Sequence, residues 1–196
     1  PHPAAAAEKG GWSQLKKSWY IFFFQIPRLP EWLASQRGPA VGQAIQASSS
    51  RPEMYSNDVL ALYTQNAARP GRLKAMINYY RQLVFGGGAK RQRGLGFPII
   101  KTPTLMCWGE DDFALNKEMT FGTDKWVKDF TIRYLPGISH WVQQDAPVEV
   151  NAMIKAFILE EPVPEMRWEP TRYTSDTRQT PPPTVTARSG KQSDIR

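Results

Sequence analysis

Two short, mostly apolar runs, each ending on a polar loop, constrain this chain more than anything else in it. Thr104-Leu105-Met106-Cys107-Trp108 follows Pro103 and leads straight into Gly109-Glu110-Asp111-Asp112. Thr131-Ile132-Arg133-Tyr134-Leu135 leads into Gly137-Ile138-Ser139-His140-Trp141. Runs this short, bounded by turn residues, read as strands. Between them a helical pattern spans about Lys117 to Val127. Pro147 then opens a last helix with Val150, Met153, Ile154, Phe157 and Ile158 on one face. Strand, helix, strand at this spacing predicts a right-handed crossover between neighbouring parallel strands, so the class is α/β.

In parallel sheets, active sites lie beyond the carboxyl ends of the strands. Asp112 and His140 each stand just past such an end. Taken singly, neither is informative: an aspartate after a strand is commonly a turn residue, and a histidine in a Gly/Ser loop is commonly just exposed. Taken together, at the ends of two adjacent strands, they can meet. A carboxylate bonded to one ring nitrogen fixes the tautomer and stabilises the charged ring, leaving the other nitrogen to take a proton from water.

The chain before residue 98 reads as helical. Ser13 is placed to cap a helix running to about Ile26, where Pro27 stops it. Leu15, Trp19, Phe22, Phe23 and Ile26 share one face, and Tyr20 and Phe24 lie on the opposite flank. Apolar residues on both sides predict a helix held between two layers, with Lys16 and Lys17 at its wet end. Pro30 opens a short helix through Leu33, and Ser56 can cap another carrying Val59, Leu60, Leu62 and Tyr63. After Pro70-Gly71, residues Leu73, Met76, Ile77, Tyr80 and Val84 repeat at helical spacing and stop at Gly86. Tyr80 is on that stripe, so its ring should point inward, and a buried phenol needs a hydrogen-bond partner. Tyr79 points about 100° away.

Composition narrows the remaining classes. At 196 residues, with 41% apolar and 22% charged, the chain is neither disordered throughout nor fibrous. The apolar run around Trp19–Phe24 is far shorter than the roughly 20 residues of a membrane-spanning helix, so no membrane partner is expected. The net charge is +7, yet residues 160–196 hold six basic and six acidic residues, so the excess lies in residues 1–159. Its densest cluster, Lys90, Arg91 and Arg93 after three glycines, has no interleaved aromatics. It therefore reads as a solvated loop rather than a single-strand nucleic-acid surface. One cysteine, Cys107, fits a reducing, cytoplasmic setting. Two histidines, His2 and His140, are too few for a multi-histidine metal site, and no cofactor is expected. Residues 160–196 hold six prolines and read as a disordered, Pro-rich tail. The opening PHPAAAAEKG lacks the pattern of a secretory signal and predicts a chain that begins partway through a longer protein.

Several of these motifs carry a family resemblance. The stretch Trp108-Gly109-Glu110-Asp111-Asp112-Phe113, Ser139-His140-Trp141 and Asp145-Ala146-Pro147 resembles the C-terminal part of α/β-hydrolases. SWYIFFFQIPRLPEW at 18–32 and NYYRQL at 78–83 resemble the lid, or cap, of the epoxide hydrolase branch, and PHP at 1–3 resembles the segment where that lid begins. The resemblance implies a helical lid over residues 1–98, the C-terminal part of the hydrolase core over 99–159 with two parallel strands and helices, and the tail over 160–196. It implies Asp112 as the acid, selected over Asp111 by the family's Gly-x-x-Asp spacing, and His140 as the base. Tyr20 and Tyr80 would be the lid phenols that hold an epoxide oxygen. It further implies a small apolar epoxide as substrate, opened to a diol through a covalent ester.

The family's nucleophile turn is not found here, since no strand–G-x-[DS]-x-G–helix unit occurs. Two strands alone would also leave a sheet edge and an apolar face uncovered. The chain is therefore expected to need the N-terminal half of the hydrolase core as its partner, and to be inactive and poorly stable alone. Two other readings stay open: a haloalkane dehalogenase or esterase-like α/β-hydrolase, and a non-catalytic fragment acting through its basic surface and Pro-rich tail. Paired phenols suit a departing alkoxide, whereas a departing halide favours N–H donors.

Overall fold

The α/β part is built on a parallel strand pair, β1 (Thr104–Gly109) and β2 (Phe130–Leu135), in register from Thr104 opposite Phe130 to Gly109 opposite Leu135. The chain is described here by a computed structural model covering residues 11–36 and 40–167. Expectations for PHP at 1–3 and for residues 168–196 lie outside the described residues. Each strand runs one residue beyond its expected limits, and a bridge between Ile100 and Val127 extends the ladder.

Leu105 and Cys107, on one face of the pleated strand, pack against a buried cluster of Leu135, Ile138, Val142, Ala146, Val150 and Met153. Val142 comes from α8 (Val142–Asp145), Val150 and Met153 from α9 (Pro147–Ile158), and Ala146 from the junction between them, α9 opening with Pro147 as expected. Glu160 takes a left-handed conformation (φ 57°), and the Glu161 N–H returns to the Ala156 carbonyl at 2.9 Å. The chain turns back, so that Val163 and Met166 pack on the core cluster. Arg133 donates to the Val163 and Pro164 carbonyls at 2.8–3.1 Å. Val163 and Met166, within the stretch expected to be a disordered tail, are thus packed against the core cluster.

The crossover differs from expectation. Residues 117–127 form two 3-10 turns, Lys117–Thr120 and Thr123–Lys125, rather than a helix. Gly122 between them is left-handed (φ 78°), which interrupts a helix.

The helical part before β1 comprises α1 (Trp12–Lys17), α2 (Trp19–Phe23), α3 (Leu29–Gln36), α4 (Ala40–Ala47), α5 (Asn57–Ala68), α6 (Arg72–Phe85) and α7 (Gly88–Gly94). Ser56 caps α5 by accepting the Val59 N–H, as expected. The single helix expected over 13–26 is two, broken at Ser18. Its first residue is Trp12 after Gly11, and the Ser13 hydroxyl instead accepts a hydrogen bond from Asn116 Nδ2 at 3.1 Å. Nor is it held between two layers: Trp19 is 65% exposed and Phe22 and Ile26 are exposed, while the flank bearing Tyr20 and Phe24 is half-buried against Tyr80. The cluster Lys90, Arg91 and Arg93 lies on a short exposed helix, α7, rather than in a loop. No helix among the described residues is long and apolar enough to cross a membrane.

Candidate active site

The two loops past the strand ends are pressed together by backbone. A Cβ at Gly109 would sit 2.1 Å from the Ser139 carbonyl oxygen and 2.4 Å from that of Ile138. Only glycine permits that approach. The Glu110 N–H donates to Leu135 O and the Asp111 N–H to Ile138 O, at 3.1 and 3.0 Å, which stitches the first loop to the second.

Asp112 is buried, and both of its oxygens are engaged. Oδ1 accepts the N–H groups of Ala114 (2.8 Å) and Leu115 (2.9 Å), a local turn that fixes the rotamer. Oδ2 lies 2.9 Å from His140 Nδ1. Burial pushes the Asp112 carboxyl up, but the bonds from His140, Leu115 and Ala114 outweigh it and hold the group below the ordinary carboxylate range. An ionised carboxylate only accepts, so Nδ1 carries the proton and Nε2 is the free nitrogen. The bond to Asp112 raises the His140 pKa above the ordinary imidazole value, against the opposing effect of burial. The ring stands edge-on to Phe113 and Trp141, at centroid distances of 5.5 and 5.1 Å, with about a third of its side chain open to solvent. An imidazole oriented this way can accept a proton from water on Nε2.

Tyr20 and Tyr80 meet in the lid with ring centroids 5.6 Å apart, edge to face. Neither phenol oxygen has a hydrogen-bond partner among the described residues. Burial raises both phenol pKa values, and for Tyr20 the nearby Tyr80 and the charge of Asp112 add to it. Both phenols are therefore neutral donors, and Tyr20 lies within electrostatic reach of Asp112. Tyr79 is exposed, as its position on α6 predicts.

Several further residues, none assigned this role from the sequence, hold the arrangement together. Arg81, beside Tyr80 in NYYRQL, forks onto Glu31 at 2.5 and 3.1 Å and donates to the Phe24 and Ile26 carbonyls at 2.9 and 3.1 Å. It draws the end of α2 onto α6 and so brings the two tyrosines together. Gln14 donates to the Ala114 carbonyl and accepts from the Asn116 N–H, both at 2.8 Å. Lys17, expected at a wet end, donates to the Asp112 carbonyl at 2.8 Å. Asp145, fully buried, accepts from the hydroxyls of Ser49, Ser50 and Tyr55. Among the described residues, no three His, Cys, Asp or Glu side chains gather to hold a metal ion.

A parallel pair that presents carboxylate and imidazole at its carboxyl ends, under a helical lid, is part of an α/β-hydrolase fold. Solved structures share it. The epoxide hydrolase of Bacillus megaterium in complex with an inhibitor superposes with a TM-score of 0.65 at 22% identity, covering 81% of this chain and 58% of that one. Epoxide hydrolase A from Mycobacterium thermoresistibile gives 0.58 at 20% identity, over 74% of this chain and 53% of that one. No protein-family model matches the chain. In sequence it is similar to the epoxide hydrolase branch. It is 34% identical over 152 residues to Epoxide hydrolase 1 of Caenorhabditis elegans, across 75% of this chain and 36% of that protein. It is also 34% identical over 169 residues to Epoxide hydrolase 4 of Mus musculus, across 82% and 45%. The chain thus spans less than half the length of these relatives.

Proposed function

We propose that the chain supplies the lid and the acid–base pair of an epoxide hydrolase, with the lid over residues 1–98 and the base over 99–159 running on to Met166. The nucleophile and the rest of the sheet belong to an N-terminal half of the hydrolase core that this chain does not contain. The observation that carries the reading is the contact between His140 Nδ1 and Asp112 Oδ2 at 2.9 Å.

In the first step a carboxylate oxygen of that other half attacks an epoxide carbon. The C–O bond of the ring breaks, an ester forms, and the departing oxygen takes its negative charge against the Tyr20 and Tyr80 hydroxyls. Donors aimed at a developing oxyanion are typically worth about 10²–10³ in rate each. In the second step His140 Nε2 removes a proton from water, the hydroxide adds to the ester carbonyl and the ester C–O bond breaks; the two protons of that water, one carried by His140 and one released by the new carboxyl group, go to the two diol oxygens and the carboxylate is restored. Asp112 orients the ring and stabilises its charged form. Two neutral phenols suit an alkoxide leaving group better than a halide. A single cysteine, Cys107, whose thiol burial pushes up, leaves no pair for an intrachain disulfide in the given sequence, and a reducing, cytoplasmic setting is proposed on that count.

The test is diol formation from a simple aryl epoxide, with the N-terminal half present and absent. Turnover is expected only with it present. There, His140→Ala should leave the ester trapped as a mass adduct on the nucleophile. Robust turnover by the chain alone, or full turnover without any adduct in His140→Ala, overturns the reading.

A further inference from the structure

Asp145 sits in the base with none of its side chain in water. A buried carboxylate is costly unless donors surround it, and every donor here comes from one lid segment between α4 and α5. Oδ1 accepts the hydroxyls of Ser49 (2.6 Å) and Tyr55 (3.1 Å). Oδ2 accepts the Ser50 N–H (3.0 Å) and hydroxyl (2.8 Å). The Asp145 carbonyl accepts from the Arg51 guanidinium at 2.9 Å. Burial and Asp145 together push the Tyr55 phenol far up, so it remains a donor.

The same segment grips the residues on both sides of His140. The Ser139 N–H donates to the Ser50 hydroxyl at 3.0 Å, and that hydroxyl passes the chain of bonds on to Asp145. The Trp141 indole N–H donates to the Ser48 hydroxyl at 2.8 Å. Three consecutive serines thus take hold of three separate points of one stretch, the His140 loop and the short helix α8 that follows it: Trp141, Asp145 and Ser139. Asp112 meets only the imidazole tip, and the other end of that side chain is fixed by the backbone at 139–141.

We propose that Ser48, Ser50 and Asp145 are positioning residues: they form a clamp by which the lid holds the loop on either side of His140 and keeps Nδ1 on Asp112. The inference rests on the hydrolase reading only for the use made of the imidazole. The lid is then part of what aligns the base as well as a cover over substrate.

The clamp can be read without turnover. In the protein carrying this chain, the hydrogen-bonded Nδ1–H of His140 should give a protected downfield proton resonance, assigned by its loss in His140→Gln. The double variant Ser48→Ala, Ser50→Ala removes two hydroxyls that are at least partly accessible, so the fold should survive, as circular dichroism will show. Exchange of the Nδ1 proton should then quicken on the order of tenfold, the net worth of one strong hydrogen bond. Asp145→Asn should do the same if it folds, and Ser50→Thr, which keeps the hydroxyl, should restore protection in the Ser48-intact protein. A folded double variant with wild-type protection overturns the clamp. An enzyme that opens no epoxide yet shows the expected exchange pattern would sink the proposed reaction and leave the clamp standing.

Discussion

His140 and Asp112 hold one proton between them, and the direction of each pKa shift fixes how the pair responds to pH. The His140 value is raised, so the neutral ring needed to take a proton from water is available only as pH climbs above the ordinary imidazole value of about 6.5. In a complete enzyme, the hydrolytic limb of the pH–rate profile should therefore lie on the alkaline side of that value. Asp112→Asn should move the limb down toward it and cut the rate by about 10²-fold or more. A limb unmoved by the substitution would mean that another group is the base. Folding obeys the same signs. The His140 contribution to stability is present below its unfolded pKa and is lost as pH rises through the raised folded value. The Asp112 contribution is present above its unfolded pKa and is lost as pH falls through the lowered folded one. Denaturant midpoints of wild type minus Asp112→Asn, measured against pH, should peak between those limits. This pair is readable from sequence because each member directly follows a strand. The contacts of Gln14 and Asp145 are not, even though Asp145 stands in a family motif, since their partners lie about a hundred residues away and leave no local pattern.

The strand ends and helix faces decide whether those residues meet. Gly109 closes β1 against the 138–139 backbone, and Gly109→Ala drives a methyl into two carbonyl oxygens. Expected is a loss on the order of 3 kcal/mol in denaturant unfolding, with the loops forced apart. A variant of unchanged stability would show that the loops yield freely. Helix starts such as Ser56 and Pro147 follow from local chemistry, and there sequence and structure agree. The crossover at 117–127 misleads because periodicity there counts apolar residues and ignores Gly122, whose left-handed backbone breaks the run. The break at Ser18 is a tertiary matter: α1 and α2 diverge so that Gln14 and Lys17 reach the base while Tyr20 turns to Tyr80.

At the scale of the molecule, apolar surface lies open on lid and base alike. Trp12 is 81% exposed, Phe85 76% and Ile158 70%. Soluble monomers rarely leave so much apolar surface uncovered. The chain alone should therefore bind a hydrophobic dye such as ANS and unfold at low denaturant, and adding the N-terminal half should suppress both effects. A chain that shows neither effect by itself would argue against any missing partner. The stripe of Trp19, Phe22 and Ile26 is legible as apolar, but periodicity does not say what covers it, which is why its exposure emerges only in three dimensions. The two grips on the base come from distant stretches of lid, Gln14 and Lys17 on the Asp112 side and Ser48–Ser50 on the His140 side. Grafting a foreign lid to change substrate preference would thus have to transplant both handholds intact, or the new specificity would arrive with a misaligned proton acceptor.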